Sequence, residues 1–327
     1  MGNDVERVAA AAVAALPRIA GMIRETPLTC FESLGSKVGG EVWCKRENLQ
    51  RTGSFKLRGA VNRLLTLPPD ERARGCVAAS SGNHGAAVAC ALGQLGVPGV
   101  IFVPERTSAA KVEKIRRYGG DVRFHGVDGL DTEQHARSFA ADHGMCYVSP
   151  YNDPEVVAGQ GTCGVEIAAA GTAFDAAFIA VGGGGLVSGV GSVLRAAWPG
   201  IRLYGCQPAA SAVMAESVAA GRILDLPSGP TLSDGTAGGI ETGSITFPLV
   251  RRLVDEFLLV DEPAIAAAMQ RYRAEFGEPV EGAAGVALAA LAGNPELGRG
   301  QRSLVIVCGG NVSDETLAAI DAGGRPG

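Results

Sequence analysis

The chain has 327 residues, of which 46% are hydrophobic and 19% are charged, and its formal net charge is −5. This composition is typical of a globular protein with a sizeable core, and the acidic balance argues against a nucleic-acid partner. The alanine-rich apolar runs are broken by glycine and none reaches the length of a membrane span, so no membrane association is predicted. Segment 1–21 carries Asp4 and Glu6 where a signal peptide carries basic residues, and it predicts an amphipathic helix.

The first half of the chain alternates short apolar runs with helical stretches. Strands are predicted at 75–80, 99–104, 121–126 and 145–150. Helices are predicted at 84–96, 108–120 and 132–144, and Ser108 is the expected cap of the second helix. These β-α units at short spacing indicate a parallel sheet with helices on its faces.

The second half repeats the alternation. The strand FDAAFIAV runs into four glycines, and the elements after it are a helix at 186–198, a strand at 201–208, a helix at 211–221, an apolar segment at 256–261, a helix at 263–277 and a strand at 303–311. The predicted fold is therefore α/β, with two open, twisted, mostly parallel sheets flanked by helices. Ligands in such folds lie where the carboxyl ends of strands meet the amino ends of helices.

The cysteines are scattered along the chain, at Cys30, Cys44, Cys76, Cys90, Cys146, Cys163, Cys206 and Cys308. None forms a C-x-x-C pair, so the spacing for a zinc site or thioredoxin-like chemistry is missing. In a chain of this length they are typical of reduced core thiols, which favours a cytoplasmic location.

Four consecutive glycines lie between a buried strand and a helix, at Gly182, Gly183, Gly184 and Gly185. Residues without a Cβ let neighbouring N–H groups point at one anion, and the start of the helix adds positive potential. A dinucleotide site is a competing interpretation, but the G-x-G-x-x-G spacing is absent and the next strand ends at Gln207 instead of an acidic residue. The loop therefore predicts a phosphate site, with a tight turn of no function as the alternative.

Two further motifs and one lysine point to the same chemistry. The stretch SSGNHG (80–85) offers hydroxyl, amide and N–H groups at a helix start, which suits a carboxylate and equally suits simple N-capping. In VIVCGGN (305–311), Cys308 ends a strand, where it is either a ligand contact or a buried core thiol. Lys56 in TGSFKLRGA has no acidic residue close to it in sequence. Together with the phosphate site, these features suggest pyridoxal phosphate joined to Lys56 as a Schiff base.

The order of the motifs resembles that of a known family. SFKLRGA, SSGNHG, GQGT, VGGGGLVSG and CGGN occur as in the serine/threonine dehydratase and serine racemase family, over a region from about Pro27 to Asn311. The resemblance implies the tryptophan-synthase-β-like fold of pyridoxal phosphate enzymes and a homodimer. It also implies a large cofactor-binding domain (1–74 and 150–327), a small substrate-binding domain (75–149) and no carboxyl-terminal regulatory domain.

The resemblance assigns roles to individual residues. Those that match the cofactor site are Phe55, Lys56, Asn83, Gly182, Gly183, Gly184, Gly185 and Cys308. Those that match the substrate site are Ser80, Ser81, Asn83 and His84. In this scheme Asn83 bonds the 3′-oxygen of the cofactor, and Cys308 is a neutral partner for the pyridine nitrogen. The segment TLSDGTAGG resembles the family's loop near the cofactor, with plain turn chemistry as the alternative.

The implied reaction removes water from L-threonine, L-serine or a related 3-hydroxy amino acid and yields a 2-oxo acid and ammonia. Lys56 takes the Cα proton, which requires that burial and nearby positive charge depress its pKa. An amino acid racemase with side dehydratase activity is the alternative, because Ser81 stands where racemases use serine on the opposite face of Cα. A cofactor-binding protein without catalysis is the alternative from another class.

Three positions depart from the racemase-like members of the family. Gln207 and Val213 stand where those members carry the acids of a divalent-cation site, so no metal is expected here. Thr132 stands where racemases and relatives that use dicarboxylates tend to have arginine, which weakens the case for a substrate with a second carboxylate.

Overall fold

The structure is a computed structural model that describes residues 3–323, and its strands form two sheets. The strands are β1 Leu28–Cys30, β2 Glu41–Arg46, β3 Cys76–Ala79, β4 Gly99–Val103, β5 Asp121–Phe124, β6 Cys146–Tyr147, β7 Ala176–Ala180, β8 Arg202–Pro208, β9 Glu256–Val260 and β10 Arg302–Val307. The six-stranded sheet has the order β1-β2-β10-β7-β8-β9, and the four-stranded sheet has the order β5-β4-β3-β6. All neighbours are parallel except β1 and β2, which confirms the predicted α/β fold.

Helices surround both sheets. They are α1 Asn3–Ile19, α2 Glu32–Val38, α3 Lys56–Thr66, α4 Pro69–Arg74, α5 Asn83–Leu95, α6 Ala109–Arg117, α7 Gly129–Asp142, α8 Pro154–Ala169, α9 Gly185–Ala197, α10 Val213–Ala220, α11 Thr246–Leu253, α12 Glu262–Phe276, α13 Gly282–Gly293 and α14 Asp314–Asp321. Among residues 3–323, no helix combines the length and the apolar character that crossing a membrane requires.

Each predicted helix and strand is present, with ends shifted by a few residues. The largest change is in the strand predicted at 145–150, of which only β6 forms. The Val148 N–H still donates to the Val77 carbonyl, and the chain bends from residue 150 on. Ser108 is the N-cap of α6 as predicted, but its side chain accepts no capping hydrogen bond. The predicted amino-terminal helix is α1, apart from residues 1 and 2, which lie outside the described residues.

Helix α3, which begins at Lys56, is held against α8 by a close approach of two backbones. A Cβ on Gly159 would lie 2.6 Å from the Arg58 carbonyl oxygen, and a Cβ on Gly59 would lie 2.3 Å from Gln160 Nε2. The Gln160 side chain also accepts a hydrogen bond from the Gly59 N–H, at 3.1 Å. Only glycine fits at this crossing, so α3 has a closely defined position.

The other face of α3 packs into the core of the small sheet. Leu57, Val61 and Leu64 are buried and belong to the same apolar cluster as Ala78 of β3 and Ile101 of β4. The amino end of α3 therefore places Lys56 at the junction of the two sheets.

Candidate active site

A cavity of about 1150 Å³ opens at the carboxyl ends of β3, β7 and β10. All of the predicted site residues line it, namely Phe55, Lys56, Ser80, Ser81, Asn83, His84, Gly182, Gly183, Gly184, Gly185 and Cys308. Asp234 and Gly235 of the TLSDGTAGG segment line it as well. The volume is large enough for a cofactor and a small substrate together, since typical ligand pockets measure about 300–1,000 Å³. The individual roles of these residues stay predictions.

Lys56 faces the cavity, and no carboxylate among residues 3–323 forms an ion pair with it. Its Nζ donates a hydrogen bond of 2.9 Å to the Pro150 carbonyl and lies 5.2 Å from the ring centroid of Phe55. Burial lowers the pKa of Lys56 from 10.5 to about 8, although Cys308 and Glu281 act in the opposite direction. The pKa of Lys56 is therefore depressed, as expected, and burial is the cause. The sequence also predicts a contribution from nearby positive charge, and no such contribution is among the causes. The neutral form of the Lys56 amine is therefore substantially populated near pH 8.

Arg58, only two residues away, has the opposite environment. Its guanidinium is fully buried and makes a two-pronged contact with Glu47, at 2.8 Å and 2.7 Å, and a second one with Glu166, at 2.7 Å and 2.8 Å. Lys45 Nζ donates to the same Glu166 carboxylate at 2.5 Å. This buried ionic cluster anchors α3 and leaves Lys56 as the cation of the helix that faces the cavity.

The glycine loop is closed on both sides by other segments. A Cβ on Gly183 would lie 2.3 Å from Tyr151 Cδ1, and a Cβ on Gly182 would lie 3.0 Å from Thr236 Cα. Only Gly184 has a left-handed backbone, with φ of 84°, so a tight turn alone would need one glycine. The loop ends in the uncapped amino terminus of α9, whose first N–H groups have no partners within the helix. This geometry favours the phosphate site over the turn without function.

The loop between β3 and α5 likewise leaves N–H groups for a ligand. Gly82 is the N-cap of α5 and no side chain caps the helix, so simple N-capping does not explain the SSGNHG motif. Ser80 Oγ accepts a bond of 3.1 Å from the Gly82 N–H. The Ser81 side chain is half-buried in the cavity wall and has no hydrogen-bond partner among residues 3–323.

Asn83 is fixed by a network that the sequence motifs did not reveal. Its Nδ2 donates to both carboxylate oxygens of Glu281, at 3.0 Å and 2.8 Å, and its Oδ1 accepts from Asn311 Nδ2 at 2.6 Å. Burial raises the pKa of Glu281 to about 7, and the bond from Asn83 opposes the shift. Burial, and then Glu281, raise the pKa of Cys308 well above its ordinary value, so its thiol is neutral, as the sequence interpretation requires.

His84 is a buried, uncharged ring. Its Nε2 donates 2.8 Å to the Val148 carbonyl, and burial followed by the charge of Lys56 lowers its pKa to about 3. In this tautomer Nδ1 is a bare acceptor with no partner among residues 3–323. The ring of His84 therefore offers no N–H donor to the cavity, and its predicted contact with substrate stays a prediction.

Glu281, Asn311 and Tyr151 are site residues that the sequence interpretation missed. Glu281 precedes α13, which is apolar on every face, and a lone acid before such a helix is the one local signal. Asn311 belongs to the quoted motif CGGN, but its partner Asn83 lies 228 residues away. Tyr151 has no local pattern at all.

The three positions that depart from the racemase pattern are all buried. Gln207 is buried and its Oε1 accepts a bond of 2.7 Å from the Ala215 N–H, while Val213 is buried in the apolar core. The residues that the structure describes contain no group of three or more acids, histidines or cysteines suited to a metal ion. Thr132 is also buried, with its hydroxyl bonded to the His125 and Asp128 carbonyls, and it does not line the cavity.

Comparisons with known proteins find the same fold in ammonia-lyases and in racemases. The chain is 38% identical to an L-threo-3-hydroxyaspartate ammonia-lyase of a Pseudomonas species, over 94% of this chain and 96% of that protein. The structure of threonine deaminase isoform 2 from Solanum lycopersicum superposes with a TM-score of 0.93 at 31% identity, covering 98% of this chain and 94% of that one. Maize serine racemase superposes with a TM-score of 0.90 at 33% identity, covering 96% of each chain.

Residues 19–309 match the family model described as "Pyridoxal-phosphate dependent enzyme". The cavity fits this cofactor independently of the match. The glycine loop has no room for a Cβ and ends at a helix amino terminus that suits a phosphate, and Lys56 offers an amine of lowered pKa to the aldehyde. The chain belongs to the family of pyridoxal-phosphate dependent enzymes.

Proposed function

We propose that this enzyme removes water from L-threonine, L-serine or a related 3-hydroxy amino acid and forms a 2-oxo acid and ammonia. The observation that carries the proposal is the Lys56 amine, which is free of any carboxylate contact and faces the same cavity as the glycine loop and the Ser80–Asn83 loop. Bound pyridoxal phosphate supplies an electron sink for the Cα carbanion. The relatives include ammonia-lyases for hydroxyaspartate and threonine, which supports this reaction class.

In this proposal, different residues of the chain remove the proton, bind the substrate carboxylate and contact the cofactor ring. The Lys56 amine removes the Cα proton, since its lowered pKa makes the neutral form accessible near pH 8. The first N–H groups of α5, which no side chain caps, would hold the substrate carboxylate, and the neutral Cys308 thiol would be the partner of the pyridine nitrogen. A neutral partner limits the electron sink and favours elimination over reactions that need longer-lived carbanions.

A racemase with side dehydratase activity is the second candidate, and Ser81 is the observation that favours it. Its hydroxyl lines the cavity with no hydrogen-bond partner among the described residues, so it is available to a substrate. A proton donor on the face of Cα opposite Lys56 permits inversion. The similarity to maize serine racemase supports the same reading.

Ser81→Ala separates the two candidates. For a dehydratase we expect the variant to retain 2-oxo acid formation within about threefold and any racemisation to disappear, since only the second proton position is lost. The measurement is incubation with L-serine, L-threonine, D-serine and 3-hydroxyaspartate, with oxo acid and enantiomers followed together. Rapid formation of D-serine by the unmodified enzyme would overturn the dehydratase assignment. Equal loss of both activities would make Ser81 a binding residue.

Gly183→Ala tests the glycine loop. The new methyl group would collide with the Tyr151 ring, whose hydroxyl accepts a 2.8 Å bond from the Glu241 N–H, so either the loop or Tyr151 must move. We expect about a tenfold weaker Kd for pyridoxal phosphate, because overpacking of this kind costs about 1–3 kcal/mol. Titration of the apoenzyme measures it, and Gly200→Ala is the control, since its Cβ meets nothing within 4 Å. Equal affinity in both variants would exclude the loop from phosphate binding.

The pH dependence of cofactor capture tests the state of Lys56. Only the neutral amine attacks an aldehyde, so the rate of pyridoxal phosphate uptake by the apoenzyme should rise with pH and level off just above pH 8, where the pKa of about 8 is passed. Stopped-flow absorbance measures this rate. Glu281, with its pKa near 7, also titrates within this pH range. In Glu281→Gln the rise of the uptake rate near pH 8 should therefore persist, because it belongs to Lys56. A rate that still climbs toward pH 10 would indicate an ordinary lysine.

We also propose the domain boundaries, assembly and location. Residues 75–149 form a small substrate-binding domain and residues 1–74 with 150–327 form the large domain. The small sheet, whose strands lie between Cys76 and Tyr147, supports this division. A homodimer and a cytoplasmic location are proposed with it, and the eight free thiols support the latter.

A further inference from the structure

Two cysteines outside the cavity lie side by side in the small sheet. Cys76 is the first residue of β3, Cys146 is the first residue of β6, and the two are register partners in adjacent parallel strands. Neighbouring strands are about 4.8 Å apart, and the Cα atoms of disulfides lie about 4.4–6.8 Å apart. No other two cysteines are register partners in the strands that the structure describes.

We propose that Cys76 and Cys146 are a redox modification site, which a peroxide converts into a reversible disulfide between β3 and β6. The step balances as follows. The Cys146 thiolate attacks one peroxide oxygen, a sulfenic acid forms and hydroxide leaves. The Cys76 thiol then attacks that sulfur, so that the S–S bond forms and a water molecule leaves. The proton that Cys146 released on ionising converts the hydroxide into a second water, so two thiols are oxidised and one hydrogen peroxide is reduced to two waters.

The surroundings give the two thiols different roles. Cys76 is fully buried, whereas Cys146 is half-buried and reachable by a small oxidant. The neighbouring Cys76 thiol lowers the pKa of Cys146, with Arg63 acting in the same direction and burial, Asp153 and Glu71 opposing. The same interaction, and then burial, raise the pKa of Cys76. Cys146 is therefore the attacking thiolate and Cys76 the protonated partner that resolves it.

The site is connected to the cavity through the two strands. β3 leads directly into the Ser80–Asn83 loop. β6 leads into Val148, whose carbonyl accepts from His84, and Pro150, whose carbonyl accepts from Lys56. β6 is a two-residue edge strand, so it is the partner that can shift toward β3. Closing the bond draws β6 toward β3 and moves the Pro150 carbonyl relative to Lys56. A misplacement of about 1 Å in an active site costs up to about a hundredfold in rate, so we expect the rate to fall by roughly tenfold or more.

The test uses the holoenzyme treated with hydrogen peroxide, then unfolded in guanidinium chloride in the presence of N-ethylmaleimide, so that buried thiols are labelled too, and digested with pepsin without reduction. We expect mass spectrometry to find a Cys76–Cys146 crosslink, the free thiols to fall from the eight of the untreated chain to six, and dithiothreitol to restore the original rate. A digest in which both residues carry the maleimide, or in which Cys146 is a sulfinic acid with Cys76 free, would overturn the proposal. This measurement on the unmodified chain needs no variant.

Two variants then test the connection to the cavity. Cys146→Ser should keep its full rate in peroxide, whereas Cys30→Ser, which removes the other half-buried cysteine, should lose rate like the unmodified enzyme. Equal loss of rate in Cys146→Ser would place the oxidation elsewhere and overturn the connection. A crosslink without any change in rate would uphold the bond and overturn its effect on the cavity.

Discussion

Replacing Lys56 with alanine is expected to lower the rate of oxo acid formation by at least about a thousandfold, because the variant lacks both the anchoring amine and the base for the Cα proton. The variant should also lose the visible absorbance that pyridoxal phosphate acquires on covalent attachment. Nothing else in the cavity replaces this group, since the cations of its wall at Lys111, Lys114 and Arg117 belong to α6, on the small-sheet side. Absorbance spectra and steady-state rates measure the two effects.

Lys37→Ala is the matched control for this prediction. Lys37 is an exposed lysine near the end of α2, far from the cavity lining, so its loss should change neither the absorbance nor the rate. Retention of the absorbance band by Lys56→Ala would refute the assignment of the attachment site. Retention of the band together with loss of the rate would limit Lys56 to proton transfer.

Arg58→Met is expected to reduce the free energy of unfolding by about 3–5 kcal/mol, because it leaves the Glu47 and Glu166 carboxylates buried with only Lys45 as counter-charge. The methionine fills most of the volume, so the loss is mainly electrostatic. Urea unfolding of the apoenzyme measures it, which keeps cofactor binding out of the comparison. Arg74→Met, which breaks an exposed pair with Asp70, should leave the midpoint almost unchanged.

The pH dependence distinguishes the lost charge pair from a packing defect. Burial raises the pKa of Glu47 but Arg58 more than offsets it, so the pKa in the folded protein lies below its ordinary value of 4.5. Stability from this group is therefore complete above pH 4.5 and lost as the pH falls through the lowered pKa. In Arg58→Met the Glu47 carboxylate protonates more readily, because Arg58 no longer lowers its pKa, so the difference in stability between the two proteins should narrow as the pH falls. A difference that is constant with pH would point to packing.

The sequence was most informative where structure is local. The strands β3, β4, β7 and β10 are apolar runs between glycine-rich turns, and such runs are what a parallel strand buried on both faces requires. By contrast, α13 is apolar on every face because it is buried all round, and it shows no periodicity to predict it. The sequence pattern likewise does not predict α3 or α8, whose glycines at the crossing weaken the helical periodicity.

By itself the sequence determined the glycine loop, the motif at the start of α5, the lysine without a nearby acid, and through them the cofactor. These depend on short stretches whose residue types suit only a few conformations. The tertiary structure alone decided which charges are paired and which are not. Arg58 donates to the carboxylate of Glu166, which lies 108 residues away in sequence. Lys56 instead donates to the Pro150 carbonyl, and burial lowers the pKa of Lys56 to about 8. The electrostatic environment of a side chain depends on segments distant in sequence, so only the folded chain shows that burial, without added positive charge, lowers the pKa of Lys56.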